Sequence, residues 1–256
     1  MCLTPGVKHT KHYRSMPYRF FEENLPLHIL SRAVEEKEIF KKEENCYRFV
    51  FQIYAANVGK PAFNLHRRDI IKTAQALLNG EEVSSKFVIK EHPPLVDIFD
   101  FALPITHFHF YLLALSKKNL ALFMKKLKGG FAKFFNLKNI RQGALFSGPY
   151  KSIQVETQTQ SDAVVRYVAI INTLDIYQPG WREKGLRNWE KAYDFLENFQ
   201  FSSFPDRIGK RKAKILALPE IYERYSLTMG GKSEFRKFTE AFLKEKFSSF
   251  DHRFLE

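Results

Sequence analysis

Residues Pro104 to Leu115 read PITHFHFYLLAL, and the fold turns on how this run is laid out. Its apolar and polar members alternate with period two, the mark of a strand, so His107 and His109 share one face while Phe108 and Phe110 take the other. The two imidazoles then stand side by side, about 7 Å apart at the backbone. Neutral ring nitrogens at that spacing can share one divalent cation, and a scissile phosphate is a natural third party to such an ion. The plainer reading of the same pattern is a pair of histidines on a half-solvated sheet face.

Upstream of this run, Leu95 to Leu103 reads as a second strand segment, with Pro104 near the junction. Downstream, Asn119 to Phe135 predicts a helix whose buried stripe is Leu120, Phe123, Met124, Leu127, Phe131, Phe134 and Phe135. Lys125, Lys126, Lys128 and Lys133 fall elsewhere on it, as a solvated face or as a nucleic-acid contact. Gly129-Gly130 inside the helix costs about 1 kcal/mol per residue relative to alanine, which points to close packing or a kink. Leu25 to Val34 predicts another strand, with His28 and Arg32 as its polar members, and His28 is a candidate neighbour of the histidine pair. Glu43 to Val58 has helical spacing and is stopped by Gly59-Lys60-Pro61.

Between residues 60 and 95 the pattern is a helix capped by Asp69 and running to Leu78, then a strand-like KFVIK, together a small subdomain packed on the core. Gly143 to Val155 reads as a turn and a strand. Asp162 is placed as the N-cap of a short helix, Ala163 to Ile171, with Tyr167 at its middle. Val164, Tyr167, Val168 and Ile171 share helical spacing, so periodicity alone makes Tyr167 a core residue. From Trp181 the chain is helical and basic, with Asn188 capping a helix to Leu196. Arg207, Lys210, Arg211 and Lys212 then form a cluster suited either to solubility or to a DNA backbone. An amphipathic helix around Phe235, Phe238 and Phe242 needs a partner surface, in cis or in a second copy.

Across its 256 residues the chain carries 41 Lys and Arg against 28 Asp and Glu, a formal charge of +13, together with 26 Phe and 11 Tyr. Rings that stack on bases and cations that track phosphates make this a composition for single-stranded nucleic acid. Two cysteines, Cys2 and Cys46, argue against a disulfide framework or a cysteine-rich zinc site. No apolar run has the length of a membrane span, and MCLTPGVKHTKHYR lacks the apolar core of a signal peptide, so a cytoplasmic protein is expected. Residues 1–16 read as a basic tail.

The ordered set LHILSRAVEEKEIF (27–40), LVDIFDFALPITHFHFYLLAL (95–115), NLALFMKKLKGGFAKFFN (119–136), GALFSGPYKSIQV (143–155) and VVRYVAIIN (164–172) resembles the single-tyrosine HUH transposases, in particular the REP-associated tyrosine transposases. The resemblance implies an α+β, ferredoxin-like domain over residues 17–180, an antiparallel sheet with helices on one face. Residues 60–95 would be an insertion and 181–256 a helical basic extension. It implies nicking and strand transfer of single-stranded or hairpin DNA, with Tyr167 as nucleophile and magnesium or manganese on His107 and His109. A phosphotyrosine link conserves the bond energy, so a later 3′-hydroxyl can reverse the attack. Lys125, Lys126, Lys151, Arg207, Lys210, Arg211 and Lys212 are the expected DNA contacts, and a homodimer is open.

Three positions depart from the family pattern. Pro149 stands where an arginine is usual, which passes a phosphate contact to Lys151, and Thr106 replaces the common asparagine before the first histidine. Ile171 occupies the place of the third metal ligand, one turn after the tyrosine. A π-bulge would bring Asn172 onto the tyrosine's face instead, with Gln158 and Gln160 as the other choices for that ligand. The rival expectation is a nucleic-acid-binding module of this fold that has lost catalysis. An HUH replication initiator or relaxase fits less well, since this helix offers a single tyrosine.

Overall fold

In the computed structural model, residues 22–218, 220–221 and 231–244 are described. The basic tail expected at residues 1–16 lies outside them. Strand β1 (Leu27–Arg32) leads to helix α1 (Glu43–Val58), after which come β2 (Gly59–Pro61), α2 (Arg67–Leu78) and β3 (Val88–Lys90). The antiparallel pair β4 (Val96–Ala102) and β5 (His107–Ala114) follows, then α3 (Lys117–Lys138) and β6 (Lys151–Gln154). Setting the small β2–β3 ribbon aside, the order is β-α-β-β-α-β, and the four long-range strands pair antiparallel in the spatial order β4-β5-β1-β6. That is the ferredoxin-like arrangement expected from the sequence.

Alternation along the strands sorts side chains into two cores. On one face Leu27, Ile29, Ile98, Phe101, Phe108, Phe110 and Leu112 pack against α1 and α3, whose Phe49, Ile53, Phe123, Leu127 and Phe131 are buried. The end of α1 is tied to the sheet by Asn57, whose amide oxygen accepts from Leu95 and Val96 N–H at 2.9 and 3.0 Å and whose amide nitrogen donates to the Val96 carbonyl at 2.9 Å. Of the two glycines in α3, Gly130 is the packing one: a Cβ there would lie 2.4 Å from the Gln52 amide of α1, whereas Gly129 faces open space.

The opposite face carries Phe99, Tyr111 and Leu113 against a second set of helices. A register shift between Ile98 and Asp100 in β4 lets Phe99 and Asp100 both turn toward this face. Covering it are α4 (Gln158–Arg166), a π-helical turn at Tyr167–Ile171, α5 (Asn172–Tyr177), α6 (Trp181–Lys184), α7 (Trp189–Asn198), α8 (Phe204–Arg207) and α9 (Gly231–Lys244). The amphipathic helix expected near Phe235 is α9, and Phe235, Phe242 and Leu243 find their partner surface in cis, beside Trp181, Tyr193 and Phe204.

Two helix starts differ from the sequence reading. Thr157, not Asp162, caps α4, accepting from Gln160 N–H at 3.2 Å in a reciprocal box with Gln160. Likewise His66 is the N-cap of α2, and Asp69 sits three residues inside, returning its carboxylate to the His66 N–H. In α2 the upstream cap leaves Asp69 to close the box, whereas in α4 Gln160 closes it and Asp162 accepts from Gln158 Nε2 at 2.8 Å.

Arg207 and Arg211 are corrections to the expected cationic cluster. The Asp100 side chain is fully buried and accepts from Arg207 Nε at 2.8 Å and from Ser203 Oγ at 2.8 Å, while Arg207 Nη2 pairs with its second oxygen. Arg211 is held by Asp206 and by the carbonyls of Gln200 and Ser202. Arg207 therefore anchors the C-terminal segment to the sheet and Arg211 ties that segment to itself, so neither guanidinium faces solvent. The same segment covers the β4 edge, where Ala217 N–H donates to Ile98 O at 2.8 Å.

Candidate active site

Face selection on β1 and β5 builds the site. His107, His109 and Tyr111 project to the second face, and the register sets Arg32 opposite His107, Leu30 opposite His109 and His28 opposite Tyr111. Lys151 on β6 is directly opposite Leu30, so it shares this face and lies in the same row as His109. The π turn of the overlying helix delivers Tyr167, whose ring meets the His109 ring edge-on at 5.3 Å and the His28 ring at 5.7 Å between centroids. His107 and His109 are 4.9 Å apart by the same measure.

The imidazoles are held in a definite pattern. His28 Nε2 and His109 Nδ1 are 2.9 Å apart, and the rings lie within 8° of one plane at a centroid distance of 5.2 Å. Those values describe two rings joined edge to edge by an in-plane hydrogen bond rather than stacked face to face. His107 Nδ1 is 3.0 Å from Thr106 Oγ1, so the threonine supports that ring. With Nδ1 engaged on both members of the pair, Nε2 is the atom each has to offer, and His109 Nε2 is buried with no hydrogen-bond partner. Burial drops His28 and His107 to about 3, with the Arg32 and Arg182 charges adding to the effect on His107. His109 is held well below its usual value by burial, then by the neighbouring His107, His28 and arginine charges. All three rings are thus neutral near pH 7, the form that binds a metal.

This donor chemistry fits a divalent ion on His107 and His109. His28 cannot be a third ligand while it supports His109 from behind, and among the described residues no group of three or more His, Cys, Asp or Glu is arranged to hold a metal. Any further protein donor must come from another residue type. Asn172 is buried directly after the π turn, and its amide nitrogen donates to the Tyr167 carbonyl at 2.8 Å. The expected bulge is present, and the amide oxygen is the atom Asn172 can offer. Gln158 and Gln160 are engaged elsewhere, Gln158 with Asp162 and Gln160 in the α4 cap.

One residue of the site escaped the sequence reading. Arg182, on the short helix α6, hydrogen-bonds the Tyr167 side chain and stands 5.7 Å from its ring centre. It is fixed by Asp175, which accepts from Arg182 Nε at 3.0 Å and Nη2 at 2.5 Å and also from Trp181 Nε1 at 2.8 Å. Gly180, with φ of +80°, makes the turn that returns α6 against α5. His28, expected from the strand pattern as a neighbour of the histidine pair, is found there against His109.

The expected DNA contacts do not converge. Lys151 shares the histidine face, whereas Lys125 and Lys126 lie on α3, behind the sheet. Lys125 is exposed, and Lys126 is near His92 and Glu91. Lys210 is bonded to Asn198 beside Glu197, and Lys212 is exposed next to Gly80 of the insertion.

Comparison with known proteins adds a likeness. No protein-family model matches the sequence, and no curated protein matches it significantly. The solved structure of a REP-associated tyrosine transposase bound to a REP hairpin is similar, with a TM-score of 0.43 and 11% identity, over 78% of this chain and 86% of that one. No helix among the described residues is long and apolar enough to cross a membrane.

Proposed function

We propose that the chain nicks and rejoins single-stranded or hairpin DNA through a covalent link to Tyr167. The observation that carries this reading is the meeting of Tyr167, His107 and His109 on one sheet face, with Arg182 on the tyrosine. The Tyr167 oxygen attacks the phosphorus, the bond from phosphorus to the 3′-oxygen breaks, and the proton of the phenol passes in net to that departing oxygen. Resealing runs the same exchange backwards. A free phenol, with a pKa of about 10, is a poor nucleophile at neutral pH. Arg182, locked by Asp175, favours the phenolate and orients it. Arg32 and Lys151 are placed to receive the phosphate's negative charge. His107 and His109 would hold magnesium or manganese through Nε2, with the Asn172 oxygen as a further donor, and the ion would polarise the phosphate and offset charge on its oxygens. His28 keeps the His109 ring in the tautomer with Nε2 unprotonated.

The test is a labelled hairpin with a single-stranded flank, incubated with the protein and magnesium or manganese and run on a denaturing gel. A covalent adduct should form. Tyr167→Phe should abolish it while DNA binding persists, and His107→Ala or His109→Ala should remove it as well. An adduct of full yield in Tyr167→Phe refutes the assignment.

One observation favours a second reading, a DNA-binding module without catalysis: Tyr167 is only 1% exposed, so the helix must shift before a phosphate reaches its hydroxyl. Tight, salt-sensitive hairpin binding with no adduct in either metal would select that reading.

A further inference from the structure

On the face of the sheet away from the histidines, α2 closes over α1 and α3 and leaves a cavity of about 370 Å³. Leu65, Ile70 and Ile71 from the α2 segment and Phe134 from α3 give it an apolar wall, and Arg48 of α1 lies in its lining. The charges there do not balance. Glu44 is the acidic residue of the lining, and its two oxygens are already engaged, one by Arg67 Nε at 2.6 Å and the other by Lys138 Nζ at 2.7 Å.

Arg48 has no such partner. Its Nε and Nη1 are buried without a hydrogen bond, and its guanidinium carbon sits 5.3 Å from the Phe51 ring centre and 5.4 Å from that of Phe134. Aromatic faces attract a cation, but they accept none of its directed N–H bonds. A buried guanidinium without an anion is a costly arrangement in a folded chain. Burial pulls Arg48 down to about 10. Nε and Nη1 are closed off from the cavity, so a carboxylate or phosphate oxygen placed there would pair with the accessible Nη2 end of the guanidinium, with Arg67 and Lys138 as further cations at its edge.

We propose that this cavity is a binding site for a small amphiphilic organic anion, whose acidic head pairs with Arg48 and whose apolar body lies on Leu65, Ile70, Ile71 and Phe134. Its volume is at the lower end of those that take small molecules, which suits a medium-chain or aromatic carboxylate. The site is separate from the strand-transfer reading and needs neither DNA nor a metal.

Octanoate tests it on the full chain by thermal unfolding, beside octylammonium, which has the same body and opposite charge, and inorganic phosphate, which has charge and no body. Octanoate at a hundredfold excess over its Kd should raise the midpoint by roughly 5–10 °C, and octylammonium should not. Arg48→Met, which keeps length and removes charge, should lose the octanoate response while unfolding no earlier than the parent. Ile71→Trp, which fills the cavity from the solvent-side helix, provides a second variant should Arg48→Met not fold, and it too should lose the response. No shift with octanoate, an equal shift with octylammonium or phosphate, or a shift that survives both substitutions would overturn the proposal.

Discussion

Replacing Asp100 by asparagine tests whether the C-terminal helices belong to the folding unit. Asp100 is fully buried and the Arg207 side chain is 7% exposed, so the pair is shielded from solvent. Asparagine keeps the shape and one acceptor, which can still serve Ser203 Oγ, but it removes the charge and turns an N–H₂ toward the guanidinium. Removing one partner of a buried pair costs about 3–5 kcal/mol, since the other charge stays behind uncompensated. The retained acceptor puts this case near about 3 kcal/mol. At roughly 2–4 °C per kcal/mol for a chain of this size, the unfolding midpoint should fall by roughly 6–12 °C. Because Ser203 N–H also donates to the Phe101 carbonyl and Ser203 Oγ accepts from Phe101 N–H, the loss should appear first as protease cleavage between α7 and α8, before the sheet melts. Asp100→Asn combined with Arg207→Met should recover part of the loss, as both charges are then gone. A single mutant within about 1 °C of the parent, or a double mutant whose loss is the plain sum of the two, would refute the reasoning.

Acid should unfold the metal-free protein early. His28, His107 and His109 are all held below their unfolded values, so the unfolded chain binds more protons, and the stability they give is complete above about pH 6.5 and lost as pH falls toward 3. Each contributes a slope of about 1.4 kcal/mol per pH unit in that window. Urea midpoints measured from pH 7.5 to 4.5 should therefore drop steeply, and a flat profile would contradict the buried neutral trio. Arg182→Met should slow single-turnover DNA cleavage by roughly 10²–10³, with Arg182→Lys recovering part of it. Its effect on stability should stay within about 1 kcal/mol because the Asp175 pair is partly exposed. Unchanged cleavage would remove Arg182 from the site. For Asn172→Leu, the rise in unfolding midpoint on adding manganese should disappear, and a manganese response equal to the parent's would exclude the amide oxygen as a donor.

Local patterning carried the fold because each sheet strand has one face that must be apolar. Phe108, Phe110 and Leu112 fix the phase of β5, and the histidines fall on the other side by default. Long-range charge pairing was not legible. Arg207 and Arg211 sit among lysines and look solvated, yet Arg207 answers a carboxylate 107 positions away, Asp100 on β4. Asp206, five residues before Arg211, was a nearer clue to an internal pair. Arg182 was hidden for another reason, since it reaches Tyr167 only through the reversal at Gly180 and the grip of Asp175.

The π turn at Tyr167–Ile171 has a reach beyond its own five residues. It acts as a frameshift in helical phase: every position after it is turned back by about one residue, or about 100°. Asp175, eight positions after Tyr167, would stand about 80° off the tyrosine's meridian in a regular helix. With one residue absorbed, it behaves as the seventh and comes within about 20° of it. The same slip that carries Asn172 under the tyrosine thus also aims the carboxylate that grips Arg182. Excising one apolar residue from 168–171 should leave both side chains on the tyrosine's side of an unbroken α-helix.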